Sequence, residues 1–254
     1  MDFTGRAVIV TGGTRGIGRA IAEAFLSAGA DVVVCGRGEP PALPRAGGRG
    51  ALFLRADVRD PAAAAALVDL TVGRLGRLDI LVNNAGGSPD CDAATASPRF
   101  VEKVVALNLL APFHMSQAAN RVMQHQDGGG CVVNIGSVSA HTPQPGTAAY
   151  SAAKAGLLVL TRALALEWGP RVRVNHITAG PVRTEDAATD ADGALARVVP
   201  LRRTALPEDV AGACLYLAGP SAAYVNGADL AVHGGGEPPA RYLAAKRQPP
   251  YRAP

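Results

Sequence analysis

The sequence predicts an α/β fold: a doubly wound parallel sheet flanked by helices on both faces, in a single domain. Three observations predict it. Short β-branched apolar runs recur along the chain, helix-period stretches lie between them, and the first run passes through a glycine-rich turn into a helix. The first run, AVIV at 7–10, leads into TGGTRGIG at 11–18. Beyond it Ile17, Ala20, Ile21, Ala24, Phe25 and Ala28 fall on one helical face, and Gly29 supplies the stop. Further strands are predicted at 31–35, 51–54, 79–86, 131–137 and 172–177. These runs are apolar on both faces, as strands covered by helices on each side must be. Residues 100–123 and 148–168 read as helices. Residues 36–50 carry three prolines and five glycines. Inside a helix these cost about 3 kcal/mol per Pro and 1 per Gly, so this crossover is expected to be a loop or a single turn. No repeat or low-complexity linker divides residues 1–236, which read as one domain. Residues 237–254 form an extension with Pro238, Pro239, Pro249, Pro250 and Pro254, which cannot be a regular helix throughout.

Composition narrows the function. The 254 residues are 48% hydrophobic, 18% charged and 4% aromatic. The charged share lies below the roughly 25% usual for soluble domains, which suggests surface hidden in subunit contacts. The net charge of +4 comes from cations scattered singly, so a small anionic ligand is expected rather than nucleic acid. No apolar run approaches the roughly 18 residues needed to span a bilayer, and no signal peptide precedes the first strand. A cytoplasmic protein without membrane partners is expected. Cys35, Cys91, Cys131 and Cys214 are far apart, with no CxxC and no His at metal-ligand spacing. Four buried, reduced thiols and no metal are expected.

Two motifs carry chemistry. The turn Thr11-Gly12-Gly13-Thr14-Arg15-Gly16-Ile17-Gly18 sits after strand one and opens helix one. Glycines let the backbone approach a pyrophosphate, and the helix N-terminus offers unpaired N–H groups and a favourable dipole. Tyr150 and Lys154, in YSAAK, stand four residues apart on a predicted helix and so share a face. An ammonium beside a phenol favours the phenolate, which would suit Tyr150 to acid–base work near neutral pH.

Further motifs join these: NNAG at 83–86, Asn108 in ALNLLAPF, Ser137 thirteen residues before Tyr150, and the segment 207–235. With them the chain resembles the short-chain dehydrogenases/reductases over residues 3–236, and in particular members of the 3-oxoacyl-acyl-carrier-protein reductase type. The resemblance implies a Rossmann-type sheet and hydride transfer between nicotinamide C4 and a carbonyl or alcohol carbon. It implies that Tyr150 exchanges the proton with the oxygen, that Lys154 lowers the Tyr150 pKa and holds the nicotinamide ribose, and that Ser137 orients the substrate oxygen. Asn108 would anchor a water linking Lys154 to solvent. For the cofactor it implies the pyrophosphate against Gly12, Thr14, Gly16, Ile17 and Gly18, the adenosine ribose side at Asn83, Ala85 and Gly86, and the adenine edge at Asp57 and Val58. Gly180, Val182 and Thr184 would meet the carboxamide end. Here the chain departs from the family, with Ala179-Gly180-Pro181 where Pro-Gly is usual, although Thr184 keeps its offset from Gly180.

The choice between NAD(H) and NADP(H) turns on what meets the adenosine 2′ position. NAD binders place a carboxylate at the end of strand two. Here Gly36 stands there, Arg37 follows, and Arg15 lies in the glycine turn, so two guanidiniums could clamp a 2′-phosphate and NADP(H) is favoured. Glu39 is the competing carboxylate, three positions late and directly before Pro40. Arg45 and Arg49, in the 36–50 loop, are further candidates for the phosphate. The substrate pocket is expected after Gly86, in the loop 139–147 and in a lid at 182–203, with Ser88, His141 and Gln144 as polar candidates. Tyr242, Leu243 and Tyr251 suggest that the tail packs on a neighbouring subunit. The expected protein is an NADPH-dependent carbonyl reductase acting on a small-molecule ketone and assembling as a homotetramer or homodimer. The alternatives are an alcohol dehydrogenase working oxidatively and a cofactor-binding regulator without catalysis.

Overall fold

The computed structural model describes residues 1–184 and 193–236 of the chain. Its strands are β1 (Ala7–Thr11), β2 (Asp31–Gly36), β3 (Arg45–Ala46), β4 (Arg49–Gly50), β5 (Leu52–Arg55), β6 (Ile80–Asn83), β7 (Gly130–Ile135), β8 (Val172–Ala179) and β9 (Asp229–Val232). Its helices are α1 (Gly16–Ser27), α2 (Pro61–Leu75), α3 (Pro98–Val105), α4 (Ala111–Met123), α5 (Ala148–Trp168), α6 (Ala194–Val198) and α7 (Pro207–Ala218). Seven strands form one parallel sheet in the order β5-β2-β1-β6-β7-β8-β9. The chain leaves β1 toward one edge through β2 and β5, then returns to the other side of β1 with β6. That reversal opens a crevice at the carboxyl ends of β1 and β6, the place where doubly wound sheets bind ligands.

Successive strand residues point to opposite faces, and each face has its own core. Val8 and Val10 of β1 pack with Ile21 and Phe25 of α1 and with Val210, Cys214 and Leu217 of α7. Ile9, between them, points the other way, toward the face where Leu67 and Val68 of α2, Met115 and Met123 of α4 and Leu164 of α5 lie. The strands therefore need apolar residues at consecutive positions, which is the pattern read in the sequence. Among the described residues only α5 is long and apolar enough, by length and composition, to cross a bilayer. It packs on β8 and carries the buried Lys154 on its inner side, as a core helix does.

The structure departs from the sequence expectations in several places. β9 escaped notice because this edge strand is half-exposed and opens with an acid, Asp229, rather than an apolar run. The strand expected at 79–86 stops at Asn83, where Asn84 N and Ala85 N turn to donate to Thr11 Oγ1. The helix expected over 100–123 starts at Pro98, capped by Ser97 Oγ accepting from Phe100 N, and is broken by a π-helical turn at Ala106–Leu110. Residues 36–50 contain the hairpin β3–β4, closed by Gly47 and Gly48 with φ of 58° and 73°, the left-handed pair that a two-residue turn needs. This hairpin packs on the C-terminal end of α1, and Arg49 pairs with Asp31 at 2.8 Å, at the amino end of β2. The crevice lies at the carboxyl ends, so Arg49 and its neighbour Arg45 are not phosphate ligands. Cys35, Cys131 and Cys214 are buried, whereas Cys91 is partly exposed. The expected lid falls partly, and the expected tail contacts fall wholly, outside the described residues.

Candidate active site

A cleft of about 710 Å³ opens at the switch point. Its floor is the glycine turn. Gly12 and Gly16 adopt φ of 62° and 51°, which residues with a Cβ rarely take. A Cβ on Gly12 would lie 3.1 Å from Ala85 Cα, and one on Gly18 would lie 2.4 Å from Gly12 O and from Asn84 Nδ2. α1 starts at Gly16, and its N-cap residue Arg15 makes no side-chain capping bond. The first N–H groups of the helix are thus left to an incoming acceptor. A bare-backbone cradle at the positive end of a helix fits a dinucleotide pyrophosphate. Thr14, Arg15 and Ile17 line the same cleft.

At one end of the cleft lie Gly36, Arg37, Gly38, Asp57, Val58 and Arg59. Glu39 is not among the lining residues. Arg59, which the sequence reading overlooked, grips Asp57 through Nε at 2.9 Å and Nη2 at 2.5 Å. Its hydrogen bonds, aided by the charge of Arg37, hold the Asp57 carboxyl below its usual range. Among the described residues, the corner therefore sets two guanidiniums, Arg37 and Arg59, against the carboxylate of Asp57.

At the other end α5 presents Tyr150 and Lys154 one turn apart, both lining the cleft. Lys154 Nζ lies 5.7 Å from the centre of the Tyr150 ring and donates to Ile135 O at 2.8 Å. Burial pushes the Lys154 ammonium down to about 8. Burial also raises the Tyr150 phenol above 10, while a hydrogen bond with Ser137 draws it back. Within the chain alone, then, Lys154 does not give the expected depression of the Tyr150 pKa. Desolvation acts on both groups, and the ammonium gives its hydrogen bond to a carbonyl.

Ser137 caps the 3₁₀ turn Val138–Ala140, its Oγ accepting from Ser139 N at 3.2 Å. Asn108 sits in the π-helical turn, the kind of local bulge that recurs at functional sites. Its amide donates to Gly87 O and Val104 O and accepts from Gly87 N at 2.9 Å. A Cβ on Gly86 would lie 2.9 Å from Asn108 Oδ1 and 3.3 Å from Lys154 Nζ, so one point between them is within reach of both polar atoms.

Other expected residues stand elsewhere. Asn83 faces away from the cleft, donating to Ser116 Oγ at 2.9 Å and to Asn134 Oδ1 at 2.8 Å. Strand parity explains it: Asn83 is paired in register with Asn134, and the next residue, Asn84, is the one that reaches the glycine turn, donating to Thr11 O and Gly12 O. Alternation within NNAG was the signal that could have separated the two asparagines. Ala85, Gly86 and Thr184 line the cleft, but Gly180 and Val182 do not. Gly180 is pressed against His233, whose Cα would lie 2.8 Å from a Cβ there, and Val182 packs into the core and bridges to Ala205. Ser88, His141 and Gln144 also lie off the cleft lining. Ser88 Oγ donates to the neighbouring Pro89 O, Gln144 O accepts from Thr147 Oγ1, and His141 turns toward Asp229. Among the described residues no group of three His, Cys, Asp or Glu side chains is arranged to hold a metal ion.

Known proteins resemble this chain in sequence and fold. The family model described as enoyl-(acyl carrier protein) reductase matches residues 12–237. An uncharacterized oxidoreductase of Mycobacterium tuberculosis is 40% identical over 240 residues, covering 91% of each chain. The D-threitol dehydrogenase of Mycolicibacterium smegmatis is 38% identical over 241 residues, 91% of this chain and 92% of that protein. The solved structure of a short-chain dehydrogenase/reductase from Serratia marcescens superposes with a TM-score of 0.84 at 34% identity, covering 92% of this chain and 99% of that one. Agreement of this extent in both sequence and fold assigns the chain: it belongs to the short-chain dehydrogenase/reductase family of nicotinamide-dependent oxidoreductases.

Proposed function

We propose that the protein is an NADPH-dependent carbonyl reductase acting on a ketone of a small molecule. The observation that carries the reading is the placement of Tyr150 and Lys154 in one cleft with the glycine turn, with Arg37 and Arg59 beside Asp57 in the same lining. The glycine turn and the first N–H groups of α1 would hold the pyrophosphate, Lys154 the nicotinamide ribose and Thr184 the carboxamide. When bound, the nicotinamide supplies the hydride that adds to the carbonyl carbon.

The chain's own groups manage the charge that then builds on the oxygen. Ser137 donates a hydrogen bond to that oxygen and fixes its position, and Tyr150 delivers the proton. A phenol held above 10 by burial stays protonated at neutral pH and is ready to act as the acid in the reductive direction. Lys154, with Asn108 beside it, supports a water that returns the proton to Tyr150.

The Asp57 carboxylate is already paired with Arg59, which leaves the charge of Arg37 to favour a 2′-phosphate. A second reading, oxidation of a secondary alcohol, is favoured by the kinship with a D-threitol dehydrogenase. The test is absorbance at 340 nm with NADPH and NADH against ketones, β-ketoacyl thioesters and quinones, and with the oxidised cofactors against polyols and hydroxysteroids. The proposal expects ketone reduction with NADPH at least about 10-fold above NADH in kcat/KM, an advantage that Arg37→Ala removes. Preference for NADH, or turnover of alcohols alone, contradicts it.

A further inference from the structure

A polar cluster behind the catalytic turn is unused by this mechanism. Asp229, at the start of β9, accepts hydrogen bonds from three side chains. His141 Nε2 meets Oδ2 at 2.8 Å, His176 Nδ1 meets Oδ1 at 2.8 Å, and Thr178 Oγ1 donates to Oδ1 at 2.7 Å. An ionised carboxylate only accepts, so in each imidazole the proton sits on the nitrogen facing Asp229. The other ring nitrogen of His176, Nε2, is buried without a hydrogen-bond partner. Burial works against the Asp229 carboxylate, but the bonds from His176, Thr178 and His141 win and hold its pKa far below the usual range. The acceptor stays ionised.

The three donors come from two places that both bear on Ser137. His176 and Thr178 belong to β8, whose register sets His176 opposite Asp229. The His176 ring lies directly under Gly136, the residue before Ser137: a Cβ on Gly136 would fall 2.0 Å from two ring atoms. Gly136 N also donates to Ile177 O at 2.8 Å. His141 closes the other side, at the end of the 3₁₀ turn that Ser137 opens, with its backbone N donating to Val138 O at 2.9 Å. The residue before Ser137 and the turn after it are thus tied to one carboxylate through two histidines.

We infer that Asp229 is a positioning residue which, through His176 beneath Gly136 and His141 at the end of the turn, fixes the place of the Ser137 hydroxyl relative to Tyr150. The inference rests on the roles proposed above for Ser137 and Tyr150. The physical need is clear, because a misplacement of about 1 Å can cost up to about 100-fold in rate.

His141 is the part to test, because its side chain is 45% exposed and its loss opens no cavity. His141→Ala removes one tie, whereas His141→Gln keeps a side-chain N–H for Asp229. The expected result is a fall of about 10-fold in kcat for His141→Ala, with the KM for NADPH unchanged. The alkaline limb of its pH–rate profile should shift upward as the Ser137 bond to the phenol weakens, and His141→Gln should recover most of the loss. In a Ser137→Ala background His141→Ala should have no further effect. Full activity in Ser137→Ala would overturn the reading of the site itself. If Ser137→Ala is impaired but His141→Ala behaves as the wild type, or its loss adds to that of Ser137→Ala, or glutamine fails to rescue, the site reading stands and the inference falls. Circular dichroism and thermal melting of each variant separate a folding defect, which would lower the active fraction without moving the pH profile.

Discussion

At the scale of single residues, the site is a set of groups whose ordinary chemistry is altered by burial. Lys154 is pulled down to about 8 because water is excluded from its ammonium, and Tyr150 is pushed up for the same reason. The two belong to one interacting site, so their proton losses are expressed jointly. For the reductive direction the proton must be present. The protonated form of Lys154 dominates below its shifted value and is lost as pH rises through it. The reductive kcat/KM is therefore expected to be level through neutral pH and to decline above about pH 8 as the pair loses a proton, with Lys154→Ala slow at every pH. A pH–rate profile measured at saturating NADPH checks this. These two residues were legible in the sequence, since five tyrosines and three lysines in 254 residues make a four-residue pairing on a helix uncommon. Asn83 and Asn84 were not separable in that way. The difference between them is one step of strand parity, which shows only when the motif is read as the end of β6 and not as a unit. Arg59 was missed for a related reason, because its contact with Asp57 depends on a turn two residues long.

At the scale of elements, the β1–turn–α1 unit performs the binding because side chains are absent where backbone must come close. Gly18 illustrates the balance of terms. In an exposed helix, alanine would be favoured over glycine by about 1 kcal/mol. Here the new methyl would meet Gly12 O and Asn84 Nδ2 at 2.4 Å, and overpacking typically costs about 1–3 kcal/mol. Gly18→Ala is therefore expected to lose about 1 kcal/mol of stability and to weaken dinucleotide binding, measured by denaturant unfolding and by NADPH titration. Elements with strong local signals were readable: the consecutive apolar residues of β1, β2 and β6, and the unbroken pattern of α5 over 148–168. Elements set by tertiary context were not. The edge strand β9 is half-exposed and bears Asp229, and the π-helical turn at Ala106–Leu110 hides within a helical pattern that continues on both sides.

At the scale of the whole molecule, α5 faces two ways. Its inner side carries Tyr150 and Lys154, while its outer side leaves Val159 at 63% and Leu166 at 87% exposure, and Leu110, in the π-helical turn that packs on α5, is also exposed. Large apolar side chains left open on a long helix point to burial in an assembly. This gives the low charged fraction a use, and it agrees with a family whose members commonly oligomerise. Light scattering is expected to find a homo-oligomer, and Val159→Asp with Leu166→Asp is expected to shift it to smaller species. Unchanged mass in the double variant would place the interface elsewhere. The central claim concerns chemistry, and Tyr150→Phe tests it most directly because the substitution removes one oxygen and leaves the ring in place. Reduction by NADPH of the best ketone substrate is expected to fall by about 100-fold or more in kcat, with the Kd for NADPH changed by less than about threefold. A variant that binds NADPH and turns over as the wild type would contradict the account.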